Sequence, residues 1–137
     1  MATQADETLE IVARDLVILR ALGEAAEDLA NRARADGVSQ PVRAALRNQA
    51  RRANEQAGNL LARGTVDLFN RPPGDAAQQL DQAIAATRGT LERIAKAKQA
   101  IEFVGALVGV AGALTGGDWK AVLRQLAALS KKARAVA

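Results

Sequence analysis

Hydrophobic residues recur at intervals of three and four along most of the chain, which is the spacing of one face of an α-helix. The pattern stops at Asp36-Gly37, at Pro72-Pro73-Gly74 and at Gly116-Gly117, and glycine or consecutive prolines end helices. The sequence therefore predicts a single all-α domain over residues 1–137. We expect an elongated up-down antiparallel bundle of four unequal helices at about 6–35, 40–70, 75–115 and 118–136.

The first predicted helix has a wide apolar surface. One stripe follows a 3-4 spacing over more than three heptads: Leu9, Val12, Leu16, Leu19, Gly23, Ala26, Ala30 and Ala33. A second set of residues widens this stripe: Ile11, Ile18, Leu22 and Leu29. A surface this wide predicts that the helix contacts two neighbours in the bundle.

The third predicted helix is the longest. Its 3-4 pattern continues from Ala77 to Gly112, and a helix of about forty residues is roughly 60 Å long. Lys98 interrupts the apolar stripe, so either the seam shifts there or its ammonium group pairs with Glu102. Because the other helices are shorter, we expect the far end to be covered only by the fourth helix or by a partner chain.

The segment from Phe103 to Gly117 is uncharged and carries glycines on one helical face. A glycine face lets another backbone approach closely, which favours a buried helix packed at short range within the bundle or across a homo-oligomer. The candidate interaction residues are Gly105, Val108, Gly109, Gly112, Leu114, Gly116, Trp119, Leu123 and Leu126.

The same segment leaves a membrane interpretation open. The uncharged run spans ~22 Å, short of the ~30 Å hydrocarbon core of a bilayer, and Glu102 and Asp118 lie at its ends. These features disfavour a stable transmembrane helix. They are compatible with a hairpin of residues 103–136 that inserts conditionally, since the fourth helix is basic and amphipathic. This layout resembles the glycine-rich hydrophobic hairpins of helical pore-forming toxins.

Charge is distributed unevenly along a chain whose net charge is +4. The first helix is acidic, whereas the second and fourth are basic, which predicts pairing of the second-helix arginines with Glu24, Glu27 and Asp28. The candidate basic patch comprises Arg43, Arg47, Arg51, Lys120, Arg124, Lys131 and Lys132. No aromatic residue accompanies these arginines, which disfavours nucleic acid as a partner; an anionic membrane or an acidic partner is compatible with the basic C-terminal helix.

The composition argues against enzyme chemistry. The chain has no cysteine and no histidine, which removes thiolate nucleophiles, most zinc sites and the usual proton shuttle at neutral pH. We therefore expect no catalysis, no metal and no cofactor. The polar, acidic N-terminus is unlike a secretory signal peptide, so the default expectation is the cytoplasm, with signal-independent export or conditional membrane association left open.

Two functional hypotheses follow. The first is a non-catalytic helical protein that acts by protein–protein association, above all by self-assembly through the glycine-rich helix and the basic C-terminal helix. The second is a membrane-active protein that uses residues 103–136 as a hairpin. Substitution of Gly109 by leucine tests the packing argument: a packed face predicts destabilisation, and a solvated face predicts stabilisation.

Overall fold

The computed structural model describes residues 4–69 and 72–136, together with the side chains of these residues other than 4–8, 66 and 67. All regular structure in these ranges is helical, so the all-α prediction is confirmed. The helices are α1 (Gln4–Ala33), α2 (Gln40–Arg63), α3 (Val66–Phe69), α4 (Ala76–Ala85), α5 (Thr87–Arg93), α6 (Ala97–Gly116) and α7 (Trp119–Arg134). The predicted end of the second helix, at Asn70, and Arg71 in the following loop lie outside the described residues.

Two contacts show that α2 runs antiparallel to α1. Near the connection between them, Nε of Arg43 donates to the carbonyl oxygen of Ala33 over 2.8 Å. Toward the other end of the pair, the N–H and the hydroxyl group of Thr65 donate to the buried carboxylate of Asp15. Gly37 closes the connection with a φ of 81°, the left-handed conformation that the sequence predicts there.

The short helices α4 and α5 run alongside α1 in the same direction. Arg14 of α1 pairs with Asp81 of α4. Further along, Nη2 of Arg32 donates to the carbonyl oxygen of Leu91 in α5 over 3.0 Å. The order of the contacts along α1 is therefore the same as their order along α4 and α5. The two short helices thus form one bent arm parallel to α1, with the bend at Ala86.

Helix α6 runs beside α2 in the same direction as α2. Nε2 of Gln49 donates to the carbonyl oxygen of Ile101 over 3.1 Å. About two turns further along α2, the side chain of Gln56 lies near Gly112. The chain therefore reverses direction between α5 and α6.

Helix α7 returns antiparallel to α6. Lys132 pairs with Glu102 over 3.4 Å, and Gln125 lies beside Gly109. Gly117 makes the turn with a φ of 75°, and the carboxylate of Asp118 accepts a hydrogen bond from the N–H two residues on. This carboxylate caps the N-terminal end of α7.

The prediction of one helix over 75–115 is wrong, because this segment contains α4, α5 and α6. The chain is extended at Ile94 (ψ 117°) and at Lys96 (ψ 131°). The expected pairing of Lys98 with Glu102 is also wrong, since Glu102 pairs with Lys132. The described residues thus form five packed arms rather than four, and α6 has 20 residues where a helix of about forty was expected.

Local sequence does not explain the break between α5 and α6. The segment Ile94-Ala95-Lys96 holds no proline or glycine, and ordinary residues differ in helix propensity by at most about 0.7 kcal/mol. Burying one large apolar side chain contributes about 1.5–3 kcal/mol. The reversal brings α6 into the centre of the molecule and buries Phe103, Val104, Leu107, Val110 and Leu114. Burial therefore outweighs the propensity to continue the helix.

The second predicted helix ends earlier than expected. Gly64 follows α2 with a φ of 65°, and its N–H donates to the carbonyl oxygen of Leu60. The next turn is the separate helix α3. Ser39 occupies the N-cap position of α2 but makes no side-chain capping bond.

Candidate interaction surfaces

The glycine stripe of α6 faces away from the buried side of that helix. A Cβ atom built on Gly105 would lie 2.6 Å from Nε2 of Gln49, and one built on Gly109 would lie 2.5 Å from Oε1 of Gln125. At Gly112 the nearest atom is 3.7 Å away, on Gln56. Flexible glutamine side chains from α2 and α7 therefore lie over the stripe, where the glycine spacing predicts a second backbone.

The other candidate residues of α6 and α7 are in different environments. Leu114 and Leu126 are buried in the core, whereas Val108, Trp119 and Leu123 are half-buried against it. Gly116 is exposed and has nothing within 4 Å of a built Cβ. The structure therefore does not gather the candidate residues into one surface.

The predicted pairing between the arginines of α2 and the acids of α1 is wrong for the residues among them that form ion pairs, because each of these pairs lies within a single helix. Asp28 pairs with Arg32 and Glu24 pairs with Arg20, both within α1. Arg51 likewise pairs with a residue of its own helix, Glu55.

Arg43 has a structural role. Besides Ala33, it reaches the carbonyl oxygen of Val38 at 3.5 Å, so it satisfies carbonyl groups at and beyond the C-terminal end of α1. The remaining residues of the predicted patch, apart from Lys132 with its Glu102 contact, are exposed: Arg47, Arg51, Lys120, Arg124 and Lys131.

An exposed apolar surface, which the sequence pattern did not predict, lies along α1 and α2. Leu9, Val12 and Leu16 of α1 are 67%, 43% and 58% exposed, and Leu61 of α2 is 74% exposed. We call these four residues the α1–α2 apolar face. Exposed contiguous apolar patches mark interaction sites more often than scattered single residues do.

The register of the two helices brings Leu61 to the same side of the molecule as the leucines of α1. Leu61 follows Arg43 by about five full turns, so it lies on the same side of α2. That side contacts α1, because Arg43 donates to Ala33. The bond between Thr65 and Asp15 then sets Leu61 within about one turn of Leu16 along the antiparallel pair.

The α1–α2 apolar face corrects the predicted core of the first helix. The second set of apolar positions fills the core, with Ile18, Leu22 and Leu29 almost completely buried. The predicted 3-4 stripe is instead exposed along its first half, for example at Leu9 and Leu16. A sequence signal for this outcome existed: α1 carries two apolar stripes, and its neighbours cover one of them along the first half.

A polar and aromatic cluster holds the end of the molecule where α3 lies. Arg14 makes two bonds to Asp81, at 2.6 and 3.0 Å, and lies 4.6 Å from the ring centroid of Phe69. The Phe69 ring meets the ring of Trp119 edge-on at 5.0 Å. The indole N–H of Trp119 donates to the carbonyl oxygen of Leu68 over 2.7 Å. The cluster therefore links α1, α3, α4 and α7.

The hydrogen bond to Asp81 raises the pKa of Arg14 above its ordinary value, against the opposing effect of partial burial. The charges of Asp81, Glu10 and Asp15 act in the same direction. Arg14 is therefore a permanent cation in this cluster, and it supplies both the ion pair and the cation–π contact.

A groove of about 610 Å³ lies between α4 and α7. Its floor is apolar and includes Phe103, Leu126 and Leu129, each of which is at most 5% exposed. Its rim is polar, with Gln79 and Gln82 on α4. On α7 the rim residues include Ser130 and Arg134. We call this feature the α4–α7 groove.

One helix of the described chain, α6, is long and apolar enough to span a membrane, with a mean hydropathy of 1.4 over its most apolar window. Within the part of the chain that the structure describes, no group of three or more acidic residues is arranged to hold a metal ion. Comparisons of the chain with protein-family models, with curated proteins and with solved structures found no match.

Proposed function

We propose that this protein is a non-catalytic helical protein that self-associates, and that the α1–α2 apolar face is the contact between copies. The observation that carries the proposal is the exposure of Leu9, Val12, Leu16 and Leu61 on one side of an otherwise well-buried fold. The interface thus lies on α1 and α2, because the large apolar side chains of α6 are already covered. As part of the proposal, the five arms form an up-and-down antiparallel bundle with this face at its outer side.

The spacing of the exposed residues suits a second copy of the same helix. Leu9, Val12 and Leu16 follow the 3-4 spacing of a coiled-coil seam. Two such seams related by a twofold axis cover one another, because a twofold interface uses the same patch on both partners. In an antiparallel pair whose twofold axis passes between Val12 and Leu16, Val12 of one copy lies opposite Leu16 of the other.

Sedimentation over a range of protein concentrations, with Leu16→Glu and Val17→Glu compared, tests the proposal. Leu16→Glu should dissociate the oligomer, because a carboxylate buried at the contact has no partner. Val17→Glu is the matched control: Val17 is 53% exposed on the same helix but lies about 100° around it from Leu16. A wild-type protein that stays monomeric at high concentration, or equal effects of both variants, would overturn the proposal.

A second candidate function is conditional insertion of the α6–α7 hairpin into an anionic membrane. Helix α6 meets the length and apolarity needed for a span, and α7 carries Lys120, Arg124 and Lys131 on its exposed side. Insertion requires that α6 leave the core and that the indole of Trp119 leave the carbonyl oxygen of Leu68. Both steps change the surroundings of the only tryptophan in the chain.

Vesicles with and without anionic lipid test this second candidate at neutral and low pH. Insertion should shift the emission of Trp119 to the blue and release an entrapped dye from the anionic vesicles, with less effect on zwitterionic ones. Unchanged emission and retained dye in every case would remove the membrane hypothesis and leave self-association unaffected.

A further inference from the structure

We propose that the α4–α7 groove binds a single-chain anionic amphiphile, such as a medium-chain fatty acid, with its chain on the apolar floor and its carboxylate at Arg134. This inference concerns a site distinct from the α1–α2 apolar face. The groove has a volume of about 610 Å³, which is within the range of about 300–1,000 Å³ that small-molecule sites occupy.

The shape of the groove favours an extended chain over a compact ring system. Along α7 its lining runs from Leu123 to Arg134, a length of roughly 16 Å at ~1.5 Å per residue. The floor along this length is formed by large apolar side chains of α6 and α7, including Phe103, Leu126 and Leu129. Small alanine side chains, such as Ala83 and Ala127, leave the space open.

The charge of the groove favours an anionic head group. None of its lining residues is acidic, and Arg134 is the one charged residue among them. The last turn of α7 carries Lys131, Lys132 and Arg134. Lys132 is paired with Glu102, and the other two cations outweigh the partial charge of about −0.5 at a helix C-terminus.

Isothermal titration of the whole protein with decanoate and with decanol tests the site. The two probes share a chain length and differ in charge, so decanoate should bind more tightly. Arg134→Gln should weaken decanoate binding about 2- to 5-fold, as expected for an exposed ion pair, and should leave decanol binding unchanged. Arg124→Gln is the matched control, since Arg124 is exposed on the same helix outside the groove lining.

A second pair of variants tests the location. Ala127→Phe should fill the groove and abolish the binding of both probes, whereas Ala128→Phe, at the neighbouring exposed position outside the lining, should leave both unchanged. Since both positions are exposed, neither variant should unfold the protein. The proposal is overturned by a lack of saturable decanoate binding, by binding that Ala127→Phe does not block, or by decanoate and decanol binding equally well.

Discussion

Helix α6 and the outward side of α1 carry the same three-and-four spacing of apolar residues, yet the two surfaces lie in opposite environments. In α6 the large side chains, such as Leu107 and Val110, are buried, and the glycines occupy the outer side. In α1 the exposed positions carry leucine, at Leu9 and Leu16. Periodicity thus locates apolar stripes correctly in both helices, but it does not determine which stripe another helix covers.

The width of the apolar surface explains the difference. Helix α6 packs against α1, α2 and α7, so its large side chains meet other helices on several sides. Helix α1 packs against α2, α6 and the α4–α5 arm, but it carries two apolar stripes. Because its apolar surface is wider than these neighbours cover, part of that surface is left exposed. This exposed apolar stripe of α1 is therefore surface that a second copy of the chain can bury.

The largest expected contrast compares one leucine from each surface. Leu107→Ala should lower the free energy of unfolding by about 2–5 kcal/mol, because it removes a fully buried side chain and leaves a cavity. Leu16→Ala should change it by no more than about 0.5 kcal/mol in the dilute monomer. Urea denaturation followed by circular dichroism measures both, and similar losses for the two variants would contradict the assigned environments.

Proline substitutions test the chain reversal that places α6 in the core. Ala97→Pro should be tolerated, because Ala97 is the first residue of α6 and the preceding Lys96 is already extended (φ −92°, ψ 131°). Ala106→Pro is the control inside α6, and it should cost about 3 kcal/mol or more.

Thermal denaturation compares the two proline variants directly. If the chain formed one helix through 75–115, Ala97→Pro would also lie in a helix interior. A loss of stability as large as that of Ala106→Pro would then show that the break between α5 and α6 is absent.

The smallest expected effect concerns the glycines. Gly58→Ala should raise the free energy of unfolding by about 0.5–1 kcal/mol, since nothing lies within 4 Å of a built Cβ in the interior of α2. Gly109→Ala should raise it less, because the new methyl group displaces the side chain of Gln125. Leucine at position 109 would likewise displace Gln125 first, so it should not force two backbones apart.

A double-mutant cycle isolates this contact. In the Gln125→Ala background, Gly109→Ala should recover the full gain seen for Gly58→Ala. The free energies come from chemical denaturation of the four proteins of the cycle. A coupling energy of zero between positions 109 and 125 would show that Gln125 does not lie over the glycine stripe.

The candidate site was predictable only in part. The apolar spacing of α1 was visible in the sequence, as were the terminating glycines Gly37 and Gly117. The exposure of Leu16 was not visible, because it depends on where α2 and α4 pass. The pairing of Arg51 with Glu55, in place of the acids of α1, likewise depends on the rotation of α2 about its own axis. The α4–α7 groove exists only because the chain folds back before α6.

The sequence by itself determined the helical class, the apolar stripes and the glycine turns, because helix periodicity and left-handed turns are local properties of a few neighbouring residues. The tertiary structure alone decided that the segment 75–115 divides and reverses, and which stripe of α1 faces outward. Those outcomes depend on burial summed over residues far apart in the chain. At Ile94 to Lys96, burial of the α6 side chains exceeds the small propensity cost of interrupting a helix.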